Sequence, residues 1–493
     1  MTVLALPIVI PFVFMIIMIS PLSARLARFG GVLGSFLLLM VSVILLLKVK
    51  GTGILTLYIG AWEAPFGISF VADPFSAIML VVSSVVLFSI SLYAIYFLPQ
   101  EYQSDKFYVF FFTLALGLNG SFLTGDVFNL YVWFEVMLLS SFVLMTLGKS
   151  RDELRGGIKY LALSLLGSLA FLAGIGLLYG NTGTLNMAHL AQIVQNSEQN
   201  QWLNTPAMLI FLAFGIKAAV FPLFFWLPAS YHHPNITISS LFAGLLTKVG
   251  VYAMIRFFTM FFIQDPAFWH NLILIIAGFT MVVGGMAATT HYDTRRILSF
   301  HIISQIGYMV MGLGIFTPLG IAGAIFFMIH NMIAKTNTFL VAGMINKLQG
   351  TFDLKNAGNL LKENPFLAVL FIVPAFALAG IPPVSGFFGK FILIKAGIDS
   401  EQYLITAVAI FTGLLTLYSM IKIWNEAFLK KQEQPSEMPV SSQKLSFREA
   451  LPSVILGVIS ILLGIFAAPV FEFTMDAAEV LLNTSNYIDT VLK

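Results

Sequence analysis

The sequence predicts an all-α polytopic membrane protein of about fourteen transmembrane helices, two of them broken, and three observations carry that prediction. Of the 493 residues, 58% are hydrophobic and only 10% charged, with mean hydropathy +0.92. Soluble domains carry about 25% charged residues. The apolar residues come in runs of about 20, which at 1.5 Å per residue cross a ~30 Å hydrocarbon core. Those runs are far longer than barrel strands, and lipid leaves the backbone of an open sheet unsatisfied. The net charge of +3 is too small to indicate a nucleic-acid partner, and the basic residues lie in loops. With no cysteine, thiolate zinc sites, Cys-ligated iron–sulfur clusters, disulfides and Cys nucleophiles are excluded.

The runs lie at 3–22, 29–48, 72–98, 107–124, 127–147, 157–180, 205–228, 236–262, 267–289, 295–315, 319–345, 363–396, 401–428 and 450–471, numbered spans 1 to 14. The opening MTVLALPIVIPFVFMIIMIS has no positive n-region and no small-residue cleavage site, so it reads as a span rather than a removed signal. Arg25 and Arg28 follow span 1, and Lys149, Arg151 and Arg155 follow span 5. Arg295 and Arg296 follow span 9, and Lys347, Lys355 and Lys362 follow span 11. Lys430, Lys431, Lys444 and Arg448 follow span 13. All fall on one side, which makes that side cytoplasmic and both termini external in the plasma membrane. Two longer loops remain: 179–205, external and suited to a short amphipathic helix, and 430–448, cytoplasmic and polar. Neither can hold a second domain, so residues 1–493 read as one membrane domain.

Span 7, AMLIFLAFGIKAAVFPLFFWL, carries Lys217 near its middle and Pro222 just beyond. A lysine at that depth costs roughly 2.5–3.5 kcal/mol on insertion scales, so its presence points to use. The proline removes a backbone hydrogen bond and frees carbonyls to face a cavity. Span 12, PAFALAGIPPVSGFFGKFILIKAG, repeats the layout with Pro382, Pro383 and Lys390. An odd separation of five spans means that 7 and 12 cross in opposite directions. The repeat is therefore inverted, spans 4–8 (107–262) against 9–13 (267–428), after three N-terminal helices (1–106) and before span 14 (450–471).

More ionisable residues lie inside spans. Glu135 stands about nine residues beyond Asp126, roughly 13 Å along the helix and near mid-membrane, whereas Asp126 reads as an N-cap. Lys248 lies between Gly244 and Gly250 in span 8, where small residues let helices or water approach. His301 and Gln305 share a face of span 10, as Asn331 and Lys335 do in span 11, with His330 turned away. Lys335 and Arg256 can also be read as snorkelling or structural charges, Arg256 the more readily because it nears a helix end. A Glu135–Lys217 pair would make the proton affinity of each depend on whether the other is engaged. Lys217, Lys248, His301 or His330, Lys335 and Lys390 then make a water-bridged half-membrane relay, a lone membrane histidine being about as often a structural hydrogen-bonder as a proton relay.

Other motifs fail. GIGLLYG misses G-x-G-x-x-G by one residue and lies in a span, and GFFGKF lacks the P-loop spacing. No acidic metal cluster appears, and His232-His233 is a weak metal signal, so no metal and no cofactor is expected. Trp226, Trp62 and Trp424 read as interface aromatics. Without a nucleophile–base or metal constellation, the chain is not expected to be an enzyme.

KAAVFPLFFWLPASYHHPNITISSLFAGLLTKVGVY, RRILSFHIISQIGYMVMGLG and HNMIAKTNTF resemble the proton-translocating antiporter-like family. That family includes the large membrane subunits of respiratory complex I and of Mrp-type Na⁺/H⁺ antiporters. The resemblance covers spans 4–13. It implies that Glu135 and Lys217 are the family's helix 5 and helix 7 partners. Lys248 becomes its helix 8 lysine, and Lys390 its terminal ionisable residue. It also implies a hetero-oligomeric membrane complex handling Na⁺ and H⁺. Lys390 argues against the complex I member with glutamate there. Ala229, Ser230 and Tyr231 stand where complex I chains tend to have Asp-Ala-His, which weakens that branch. The rival function is a proton-pumping subunit of a redox-driven complex, such as a complex I-like oxidoreductase or a membrane-bound hydrogenase. A non-conducting scaffold is at odds with the row of membrane charges.

Overall fold

The computed structural model describes residues 2–104, 106–197, 201–431 and 445–493. Lys444 and most of the expected 430–448 loop lie outside the described residues. The chain opens with α1 (Thr2–Ile19) and α2 (Ala24–Thr52), the latter capped by the Ser23 hydroxyl at Leu26 N–H. One antiparallel ribbon then departs from the all-helical expectation: β1 (Leu55–Tyr58) pairs with β2 (Ser69–Ala72). Gly60, Pro65 and Gly67 punctuate the segment between them, and Gly60 takes φ 68°, a conformation that suits glycine.

Next come α3 (Pro74–Phe97), α4 (Gln100–Ser104), α5 (Phe107–Leu123), α6 (Val127–Met145) and α7 (Arg151–Thr182). Caps set their starts. Asp73 and Ser76 form a capping box ahead of α3, and Ser150 and Glu153 form another ahead of α7. Asp126 accepts Asn129 N–H at 2.7 Å, the capping role expected of it. The amphipathic helix expected in loop 179–205 is α8 (Met187–Asn196), with Met187, Leu190, Ala191 and Val194 buried.

The broken span 7 is α9 (Asn204–Ala218) plus α10 (Trp226–Ser230), followed by α11 (Ile236–Met260). Then come α12 (Pro266–Thr290), α13 (Thr294–Ile315), α14 (Pro318–Gln349) and the short α15 (Leu360–Glu363). The broken span 12 is α16 (Pro365–Ala379) plus α17 (Ser385–Asp399), followed by α18 (Tyr403–Trp424). At the end stand α19 (Phe447–Ile465), α20 (Ala467–Leu482) and α21 (Ser485–Val491). A continuous helix over 450–471 is interrupted at Phe466, because Pro469 has no N–H to return to Ile465. Among the described residues, ten helices are long and apolar enough to cross a membrane, with three shorter apolar ones at Val3–Ile19, Phe107–Leu123 and Pro365–Ala379.

Burial sorts these helices into a centre and a rim. All of α11 is buried, and almost all of α13 and α14. The helices α2, α7, α12 and α18 turn large apolar side chains outward, among them Leu47, Leu169, Phe279 and Leu414. Apolar exposure on that scale marks contact with lipid or partner chains. The polar residues of α11, α13 and α14 are thus walled off from lipid. At the second break, α19 comes close enough that a Cβ on Gly464 would meet the Pro383 carbonyl oxygen at 1.9 Å. Only glycine allows that approach.

Candidate functional site

α9 stops where Ala219 enters the left-handed region at φ 60°, and Pro222 follows in the non-helical turn. Protein groups satisfy the break. Val220 N–H returns to Gly215 O at 3.1 Å, Phe221 N–H reaches Thr280 Oγ1 of α12 at 2.9 Å, and Trp226 Nε1 donates to Ile216 O at 2.9 Å. Trp226 is 2% exposed and belongs to this junction, not to the membrane interface expected for it. Its polar N–H is needed inside. Trp62, 70% exposed, does face outward.

Lys217 lies buried in the last turn of α9, and its Nζ donates to Ser168 Oγ of α7 at 3.5 Å. The Ser168 hydroxyl donates in turn to Glu135 Oε1 of α6. The two charges expected to pair are therefore linked through a hydroxyl, without a direct ion pair. Phe134, Phe171, Phe214 and Phe257 pack ring on ring beside them, with centroids 4.9–6.3 Å apart. Gly250 brings α11 against the end of α9: a Cβ there would lie 2.6 Å from Ala218 N and 2.9 Å from Lys217 C. Lys248, near Gly250 on α11, donates to Ala243 O at 2.6 Å and is fully buried.

The middle of the protein holds polar atoms that no other protein group reaches. Lys335 Nζ, both polar atoms of Asn331, both ring nitrogens of His301, Gln305 Oε1 and Thr247 Oγ1 are buried without a partner. Gln305 Nε2 meets Thr416 Oγ1 at 3.4 Å. Such groups are rarely left unpaired in native proteins, and where they cluster they are hydrated. The i, i+4 spacings on α13 and α14 bring His301, Gln305, Asn331 and Lys335 to this region.

Lys390 lies on α17, just past the second break. Gly380 turns α16 out of the helix at φ 85°, Pro382 and Pro383 carry the chain across, and Lys390 Nζ takes the freed carbonyls of Leu378 and Ala379 at 2.8 and 3.0 Å. The ammonium also stands 5.4 Å from the Tyr308 ring centroid. His330 faces this break rather than Lys335: its Nδ1 meets Ser385 Oγ at 2.9 Å, and Ser385 meets Ser460 Oγ at 3.0 Å.

Arg256 is structural. It forms a bidentate pair with Asp73 at 2.7 and 2.9 Å and also donates to Tyr252 OH at 2.9 Å. The residues that the sequence reading passed over are Ser168, Asp73, Tyr308 and Ser385. Ser168 had a signal: with Tyr160 and Ser164 it forms an i, i+4, i+8 polar stripe on a mostly apolar span.

Among the described residues no group of three or more His, Cys, Asp or Glu is placed to hold a metal ion, and His232 and His233 make other contacts. His232 Nδ1–H donates to Pro228 O at 2.6 Å, and its Nε2 faces Arg296 Nη2 at 3.3 Å. Burial, then His233 and Arg296, push its imidazole down to about 4 from 6.5. Between those values the unfolded chain binds a proton here that the folded chain does not. Stability therefore falls as pH drops through that window. Thermal unfolding of His232→Gln is expected to show a gentler acid limb than native protein there, and identical limbs would count against it.

Residues 124–416 match the family described as NADH:quinone oxidoreductase/Mrp antiporter, transmembrane. Residues 59–108 match that described as NADH-ubiquinone oxidoreductase (complex I), chain 5 N-terminus. Over 492 residues the chain is 46% identical to a Na⁺/H⁺ antiporter subunit of Alkalihalophilus pseudofirmus, with 99% of each covered. It superposes on a chain of the Mrp complex from a Dietzia species with TM-score 0.92, 29% identity and 100% of both chains covered. A chain of an archaeal membrane-bound sulfane sulfur reductase gives TM-score 0.90 and 26% identity, again over 100% of both. With more than half its length in the first match and full-length relatives beside it, the chain belongs to the NADH:quinone oxidoreductase/Mrp antiporter family of membrane subunits.

Proposed function

We propose that this chain is the proton-conducting subunit of a multi-subunit secondary Na⁺/H⁺ antiporter in the plasma membrane, assembled with other Mrp-type subunits. The observation that carries the proton-conducting role is Lys335, fully buried and without a protein partner, in a series of cations that runs from Lys217 through Lys248 to Lys390. An unpaired ammonium held away from lipid is costly and of no use to packing. A hydrated line of lysines and histidines suits protons. It repels Na⁺, so the metal ion crosses elsewhere in the complex. Glu135, Lys217, Lys248, His301, His330, Lys335 and Lys390 are the transfer residues, and Pro222, Pro382 and Pro383 shape the two breaks. The membrane potential supplies about 2.3 kcal/mol per net charge moved per 100 mV, so exchange of more than one external H⁺ for each cytoplasmic Na⁺ is driven without redox chemistry on this chain.

The same reading gives fourteen crossings with both termini external. One series runs α5, α6, α7, α9/α10, α11, and a second runs α12, α13, α14, α16/α17, α18. The broken element is fourth in each, which supports two inverted repeats at 107–262 and 267–428. Likeness to a respiratory complex favours one alternative, a proton-pumping subunit of a redox-driven assembly. Purifying the tagged chain in mild detergent separates the two. Small hydrophobic partners, no flavin or iron–sulfur absorbance, and Na⁺-dependent collapse of ΔpH in vesicles are expected. Redox-bearing peripheral subunits and no response to Na⁺ would assign the chain to the pump.

A further inference from the structure

We propose that Ser168 is the proton-transfer bridge between Glu135 and Lys217, an inference that rests on the proton-conducting reading above. Glu135 belongs to α6 and Lys217 to α9, and α7 packs against both. Gly167 lets α9 come close, since a Cβ there would touch Ile216 Cγ2 at 3.3 Å. Ser168, next to it, is 4% exposed and reaches both charged groups.

Its hydroxyl behaves unlike the packing serines of this protein. Ser35, Ser42, Ser121, Ser140, Ser240 and Ser419 each donate to the carbonyl one turn back in their own helix. That bond is the usual resting place of a serine in an apolar helix. The Ser168 proton goes to the Glu135 carboxylate on another helix instead, and its lone pair faces the Lys217 ammonium. A hydroxyl is both donor and acceptor, so it can do both at once.

The step balances without a further reactant. An N–H bond of Lys217 breaks as an O–H bond forms on Ser168. The original Ser168 O–H bond breaks as an O–H bond forms on Glu135. Serine is unchanged, lysine becomes neutral and glutamate protonated; the reverse step restores both charges. The two charges thereby exchange a proton without meeting.

Ser168→Thr and Ser168→Val test this in the whole complex in vesicles, since the two side chains share a shape and only threonine keeps the hydroxyl. Na⁺-driven proton flux is measured across pH, normalised to assembled complex, with Glu135→Gln alongside. Threonine is expected to keep at least half the native flux, and valine to lose about tenfold or more with a displaced pH profile. Equal flux and equal profiles for the two variants would overturn the bridge. If Glu135→Gln is inactive while Ser168→Val is not, the bridge alone is wrong. If Glu135→Gln is as active as native protein, the proton-conducting reading falls and the bridge with it. Should both β-branched variants assemble poorly, Ser168→Ala removes the hydroxyl without added bulk, and an unshifted profile overturns the proposal.

Discussion

Replacing Lys335 with methionine is expected to stabilise this protein and abolish its proton conduction. The ammonium is fully buried in the middle of α14 and no protein atom accepts from it. Methionine is similar in length, flexible and apolar, and it fits the same space without leaving a charge to solvate. Removing a buried polar group that no protein atom satisfies should raise the unfolding free energy by on the order of 1–3 kcal/mol. Flux should fall at least about a hundredfold, because the line then has a gap that water alone must carry. Thermal unfolding of the purified complex and Na⁺-driven flux in vesicles read the two effects separately. A variant that unfolds earlier would mean that the lysine is held by a stabilising partner. One that is more stable and still conducts would take Lys335 out of the path. Stability and activity moving in opposite directions is the signature of a residue kept for function.

The largest loss of stability is expected from Arg256→Met. Arg256 and Asp73 are 5% and 1% exposed, and their bidentate pair joins α11 to the cap of α3. The Tyr487 ring, 5.8 Å from the guanidinium carbon, brings α21 to the same point. Removing the arginine strands a buried carboxylate, at a cost of about 3–5 kcal/mol. Asp73→Asn combined with Arg256→Met removes both charges and should recover part of that loss in thermal unfolding. If the double variant is as unstable as Arg256→Met, the stranded charge is not the cause. Flux per assembled complex should change little in either variant, since neither residue belongs to the lysine line.

The sequence made the charged part of the candidate site legible because lipid is an unforgiving solvent. A lysine or glutamate in an apolar run is conspicuous, and Lys217, Lys248, Lys335, Lys390 and Glu135 all stood out for that reason. Neutral partners do not stand out. Ser168, Ser385 and Tyr308 are ordinary residues in a membrane helix, and only their neighbours across helices give them a part. Trp226 shows the reverse error: an aromatic at the end of a run reads as an interface anchor, yet its indole N–H completes the broken helix from inside.

By itself, then, the sequence determined that the chain is helical, where its apolar segments run, that spans 7 and 12 are interrupted, and which ionisable residues stand inside apolar runs. Those are local properties, set by run length, proline and the cost of charge in hydrocarbon. The tertiary structure alone decided that Glu135 and Lys217 meet through a hydroxyl, that His330 serves the second break, and that α11, α13 and α14 form the enclosed centre. It also decided that the chain after Ile465 continues as two further helices. Each of these depends on contacts between residues far apart in sequence, which no local pattern records.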